Sequence, residues 1–76
     1  MRIKRYRQVD AADAAYTVTG PEYEHRFTTE SAAIATALDQ ASRSRGATFY
    51  VRIDGEIILR AESDERGSAW LVQRAA

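Results

Sequence analysis

One helical run set between two hairpin signals constrains this chain more than any other feature. From about Glu30 to Arg45, the residues Ile34, Ala37, Leu38 and Ala41 recur at i, i+3, i+4 and i+7, which is the spacing of one apolar stripe on an α-helix. Thr28 or Thr29 suits the N-cap, Glu30 suits the positive end of the helix, and Arg43 and Arg45 suit its negative end. Gly46 then offers a left-handed stop. A lone helix has to bury its stripe against something, and the remaining segments read as strands. The predicted class is therefore α+β: an antiparallel sheet of four to six strands with one helix packed on one face, in a single domain covering residues 1–76.

The hairpin after the helix is read from Ala47 to Ile53 and Glu56 to Glu62, joined around Asp54-Gly55. Side-chain parity bears on the turn. A two-residue loop would place Ile53 opposite Glu56 and Val51 opposite Ile58, scattering apolar residues over both faces. A three-residue loop, Ile53 to Gly55 with Gly55 as a bulge, would pair Arg52 with Glu56. It would gather Phe49, Val51, Ile57, Leu59 and Ala61 on one face and leave Thr48, Tyr50, Arg52, Ile58 and Arg60 on the other, so it is the expected turn.

Ahead of the helix, Ala15 to Thr19 and Glu22 to Thr28 flank Gly20-Pro21 and read as a second hairpin. Tyr23, His25 and Phe27 share one phase, joined by Tyr16 and Val18, while Glu22, Glu24 and Arg26 share the other. Two terminal segments could extend the sheet. Arg2 to Val9 carries four cations, which suit an edge strand or an arm. Ala69 to Gln73 follows the turn-like Asp64 to Ser68 and would place Trp70 and Val72 on one side and Leu71 on the other.

Composition limits what such a sheet can bury. Fourteen Ala stand beside only fourteen Ile, Leu, Val and Phe, and eleven basic residues balance eleven acidic ones. So thin a core, with no Cys to staple it or to serve as a thiolate ligand or nucleophile, is expected to gain from self-association, and a homodimer is one expected partner state. The cationic stretch from Met1 to Gln8 has no apolar run behind it, so it reads as neither a signal peptide nor a membrane span, and the expected location is cytoplasmic.

Residues 15 to 60 resemble a family of short bacterial domains of unknown function. The shared pattern is a hairpin, Phe-x-Thr, an Ala-rich helix and a second hairpin with Asp-Gly (ββαββ). It is carried here by Phe27, Thr29, Ala33, Ile34 and Ala37, then Gly46, Val51, Asp54 and Gly55. The chain departs from the pattern at Ala32, where an acidic residue is usual, and in its charged N-terminal extension. The resemblance implies a fold and supplies no catalytic residue. In size and architecture the chain also resembles phage and mobile-element inhibitors such as anti-CRISPR proteins.

The residues that could carry chemistry are few. His25 is the one side chain with an ordinary pKa near neutrality, and its place between Tyr23 and Phe27 reads as structural. Glu22 with Glu24, and Glu62 with Asp64 and Glu65, lack the ligand number and spacing of a calcium loop. The four glycines are isolated, so no phosphate-cradling loop is present. No enzyme activity, metal or cofactor is expected.

Two surfaces remain. The sheet face away from the helix would expose Tyr50, Arg52, Ile58 and Arg60, and rings with forked donors are common interface anchors. The N-terminal set Arg2, Lys4, Arg5, Tyr6 and Arg7 could instead neutralise phosphates and stack on a base. Against that, residues 9 to 30 hold five acids, Asp10, Asp13, Glu22, Glu24 and Glu30, with only Arg26 to offset them. The expectation is a non-enzymatic module that binds a protein, an inhibitor docking on a larger complex, with a nucleic-acid-binding regulator as the alternative.

Overall fold

The computed structural model describes residues 16–73. The basic N-terminal set and the segment Arg2 to Val9 lie outside them. In chain order the elements are β1 (Tyr16–Gly20), β2 (Tyr23–Phe27), α1 (Glu30–Arg43), β3 (Thr48–Ile53), β4 (Glu56–Ser63) and β5 (Ala69–Gln73). The five strands form one antiparallel sheet in the order β2-β1-β3-β4-β5. Because β2 and β3 each run antiparallel to β1, they point the same way, and the helix carries the chain back between them.

The helix starts where its cap residue says it should. Thr29 is extended (φ −125°, ψ 151°), and its Oγ1 accepts a hydrogen bond from the Ala32 N–H at 3.2 Å. That satisfies one of the free N–H groups of the first turn. The end falls two residues before the expected Arg45, where the Ser44 N–H donates to the Gln40 carbonyl at 2.9 Å, and Gly46 follows at φ 83°.

The buried seam of the helix differs from the expected stripe. Ala33, Ala37 and Ala41 are fully buried, while Ile34 and Leu38 pack beside them half-buried. Large residues at the centre of the stripe would hold the helix off the sheet. Placing a column of methyl groups there lets the backbone come close, and the two larger side chains straddle the contact. The core thus consists of the three alanines with Val18 of β1, Phe49 and Val51 of β3, and Leu59 and Ala61 of β4. A helix about 10 Å across covers roughly three strands spaced about 4.8 Å apart. Accordingly the two outer strands contribute no fully buried hydrophobic residue among those described.

Phe49 fixes the start of β2. Its ring lies across Gly20, where a Cβ would collide with Phe49 Cδ2, so only glycine fits beneath it. The same ring meets Tyr23 edge-on at 5.7 Å.

The second hairpin corrects the sequence reading in two ways. Its loop has two residues: Ile53 pairs with Glu56, and Asp54 and Gly55 both take positive φ (51° and 85°). That is the turn whose twist matches the flanking strands, and Asp-Gly is suited to it. The parity penalty is removed farther along, by a register shift that pairs Arg52 with Ile57 but Val51 with Leu59. The bulge therefore sits at Ile58 within the strand rather than at Gly55. As a result Ile58 packs against the core, whereas Ile57 lines the opposite face. These two residues have exchanged the faces that a bulged turn would give them.

The β4–β5 turn is anchored to the end of the helix. Asp64 holds the turn closed by accepting from the backbone N–H groups of Arg66 (2.9 Å) and Ser68 (3.0 Å). Ser42 Oγ donates to the Gly67 carbonyl at 2.6 Å, and the Gly46 N–H donates to Ser63 Oγ at 2.9 Å. β5 then places Trp70 and Val72 beside Glu62 and Arg60, and Leu71 beside Ala61, as its alternation predicts.

Candidate interaction face

Strand register arranges the open face in rows. Arg26, Thr17, Arg52 and Ile57 stand in line across β2, β1, β3 and β4. The next row runs Glu24, Thr19, Tyr50, Arg60 and Val72 across all five strands, and a third holds Thr48, Glu62 and Trp70. Neighbours in a row are about 4.8 Å apart at the backbone, so long side chains reach across more than one strand.

Arg52 is the most constrained of these side chains. Its Nε donates to Thr19 Oγ1 at 3.1 Å, its Nη1 donates to the Gly55 carbonyl at 3.3 Å, and its guanidinium carbon lies 5.8 Å from the centre of the Tyr50 ring. None of these partners is a carboxylate. The ion pairs among the described residues are Arg43 with Asp39 on the helix and Arg60 with Glu62 on this face, at 2.9 and 2.7 Å. Among the described residues Arg52 therefore has no carboxylate partner, and its geometry is held by a hydroxyl, a carbonyl and a ring.

Tyr50 and Arg52 also form a ridge between two open hollows. One, of about 470 Å³, extends over Ile57, Arg60 and Val72. The other, of about 310 Å³, extends over Thr19, Pro21 and Thr48. The ridge offers an aromatic surface and a forked donor at the meeting of two concavities, which is the chemistry of an interface anchor.

Of the residues expected on this face, Tyr50, Arg52 and Arg60 are here and Ile58 is not. The register adds Thr17, Thr19, Glu24, Arg26, Ile57, Glu62, Trp70 and Val72. Trp70 and Val72 were visible in the alternation of β5, but only the strand order places them beside Arg60. Thr19 leaves no sequence signal, because the adjacency of β1 and β3 joins residues more than thirty positions apart.

The other sequence candidates lie elsewhere. His25 is exposed on β2, on the helix side of the sheet, with Tyr23 stacked at 5.6 Å and Phe27 at 6.0 Å. Glu22 sits in the β1–β2 turn at φ 55°, Glu62 is paired with Arg60, and Asp64 is committed to its own turn. Among the described residues no group of three or more His, Cys, Asp or Glu is placed to hold a metal ion. Nor is any helix there long and apolar enough to cross a membrane. No family model, curated protein or solved structure matches this chain.

Proposed function

We propose that the chain is a non-enzymatic binding module and that the open face of its sheet docks on a protein partner. The observation that carries this reading is the Tyr50–Arg52 ridge, a charged guanidinium already held in place between two hollows. Side chains ordered before binding lose less entropy on association. A carboxylate of the partner is the natural counterpart of Arg52, and the hollow over Ile57 and Val72 accepts an apolar side chain. A small inhibitor that blocks a larger complex, as the phage-encoded proteins of similar size do, needs only such a face.

The test is affinity capture from lysate with nuclease present, using the wild type and a Tyr50→Ala/Arg52→Ala variant of equal thermal stability as baits. A protein retained by the first and lost by the second supports the reading. Each substitution alone is expected to weaken the complex by more than about 1 kcal/mol.

One observation favours a second reading, a single-stranded nucleic acid. Tyr50 and Trp70 share the open face with Arg26, Arg52 and Arg60, and sheets hold single strands by stacking bases on rings while cations meet phosphates. The basic set from Arg2 to Arg7 would add to this. Oligonucleotide binding that weakens steeply with salt would establish it, and Glu24 and Glu62 on the same face oppose it.

A further inference from the structure

Among the described residues the sheet ends in two strands, β2 and β5, which are protected very differently. β2, at one edge, carries Glu24, His25 and Arg26 in succession, and charge on an edge strand discourages pairing with another chain. β5, at the other edge, reads Ala-Trp-Leu-Val-Gln and has no charged residue. It also holds the two large hydrophobic side chains that stay exposed among the described residues, Trp70 at 44% and Leu71 at 38%. These point to opposite faces of the same strand, so no single helix or loop laid on one face would cover both. A strand added alongside would cover both.

We propose that this strand is β5 of a second copy, joined antiparallel about a two-fold axis perpendicular to the sheet to give a continuous ten-stranded sheet. The segment is complementary to itself. With Leu71 on the axis, Trp70 stands opposite Val72 of the second copy, Ala69 opposite Gln73, and Leu71 opposite Leu71. The large ring meets a smaller branched side chain on the open face, and the two leucines meet on the helix side. No like charges oppose one another anywhere along the pair. The edge is about 17 Å long at about 3.4 Å per residue, which places the contact near the lower limit of specific interfaces. For so short a contact the proposal expects weak association, in the micromolar to millimolar range. This inference is independent of what docks on the Tyr50–Arg52 ridge.

Sedimentation equilibrium of the full chain from about 10 µM to about 1 mM, with the emission of its one tryptophan recorded at each concentration, tests the pairing. The wild type is expected to shift from monomer to dimer, and the Trp70 emission to move to the blue in step with the mass. Leu71→Lys is expected to raise the dissociation constant by at least about tenfold, as buried edge charge should. Trp70→Lys, on the opposite face of the strand, should do the same, and His25→Lys on β2 should leave association unchanged. Circular dichroism at the lowest concentration verifies that each variant is folded. A monomer throughout, a dimer indifferent to both β5 variants, a dimer lost through His25→Lys, or Trp70 emission independent of concentration would each overturn the proposal.

Discussion

On the helix side of the sheet, Val18, Phe49, Val51, Leu59 and Ala61 are at most 8% exposed and meet three alanines; on the other side, Tyr50 and Arg52 are half-buried and Arg60 and Trp70 exposed, standing among threonines. The first face works by closeness. Its residues are small or flat where the helix and Gly20 come near, and an added methyl group has nowhere to go. The second works by display. Its arginines are positioned by Thr19, Gly55, Tyr50 and Glu62 without being buried. The difference teaches that stability and binding are carried by opposite surfaces of the same strands, so substitutions should separate them.

The largest effect is expected at the ring that closes the helix side. Phe49→Ala should destabilise by about 3–5 kcal/mol, measured by urea denaturation. Gly20→Ala should cost about 3 kcal/mol, the upper end of overpacking, because its new methyl group would enter the Phe49 ring. Since both costs arise in one contact, the double variant should be less destabilised than their sum by at least about 1 kcal/mol. Additive costs would remove the contact from the account of the fold.

Next in size is the alanine seam. Ala37→Leu should cost about 1–3 kcal/mol by forcing the helix away from the sheet. Leu38→Ala, which would cost about 2–5 kcal/mol at a fully buried site, should cost only about 1–2 because Leu38 is half-buried. Finding that Leu38→Ala is the more damaging of the two would return the larger residues to the centre of the stripe. The order of the two melting temperatures decides it.

These expectations mark where sequence reasoning stops. The helix, Thr29 as its cap, both hairpins and the alternation of β5 follow from local patterns: apolar spacing, turn residues and capping side chains. The rotation of the helix is different, because Ala33 outranks Ile34 only once the sheet beneath is known to allow close approach. Likewise, Asp54-Gly55 states the turn correctly, but the bulge at Ile58 compensates a parity conflict that either register alone leaves unresolved. That conflict decided one member of the candidate face, exchanging Ile57 for Ile58. Gly20 under Phe49, and Thr19 against Arg52, are contacts between segments on opposite sides of the helix in sequence. Nothing in either segment announces the other.

The smallest effects on stability are expected on the open face. Tyr50→Ala and Arg52→Ala should each change unfolding free energy by no more than about 1 kcal/mol, since what they lose is one cation–π contact and, for Arg52, one part-buried and one exposed hydrogen bond. Asp39→Ala on the outer helix surface should cost about 0.5 kcal/mol or less, because its pair with Arg43 is exposed on both sides.

The most direct measurement of the separation is a nuclease-treated capture from lysate in which the recovered partner is quantified for four baits: wild type, Arg52→Ala, Tyr50→Ala and Leu38→Ala. Melting temperature is recorded for each. The expected result is recovery lowered by about fivefold or more for the two open-face variants at nearly unchanged melting temperature, the equivalent of about 1 kcal/mol. Leu38→Ala should melt several degrees lower yet recover the same partner when held below its transition. Undiminished recovery by Arg52→Ala and Tyr50→Ala, or a partner that nuclease removes from every bait, would contradict the assignment of binding to the open face.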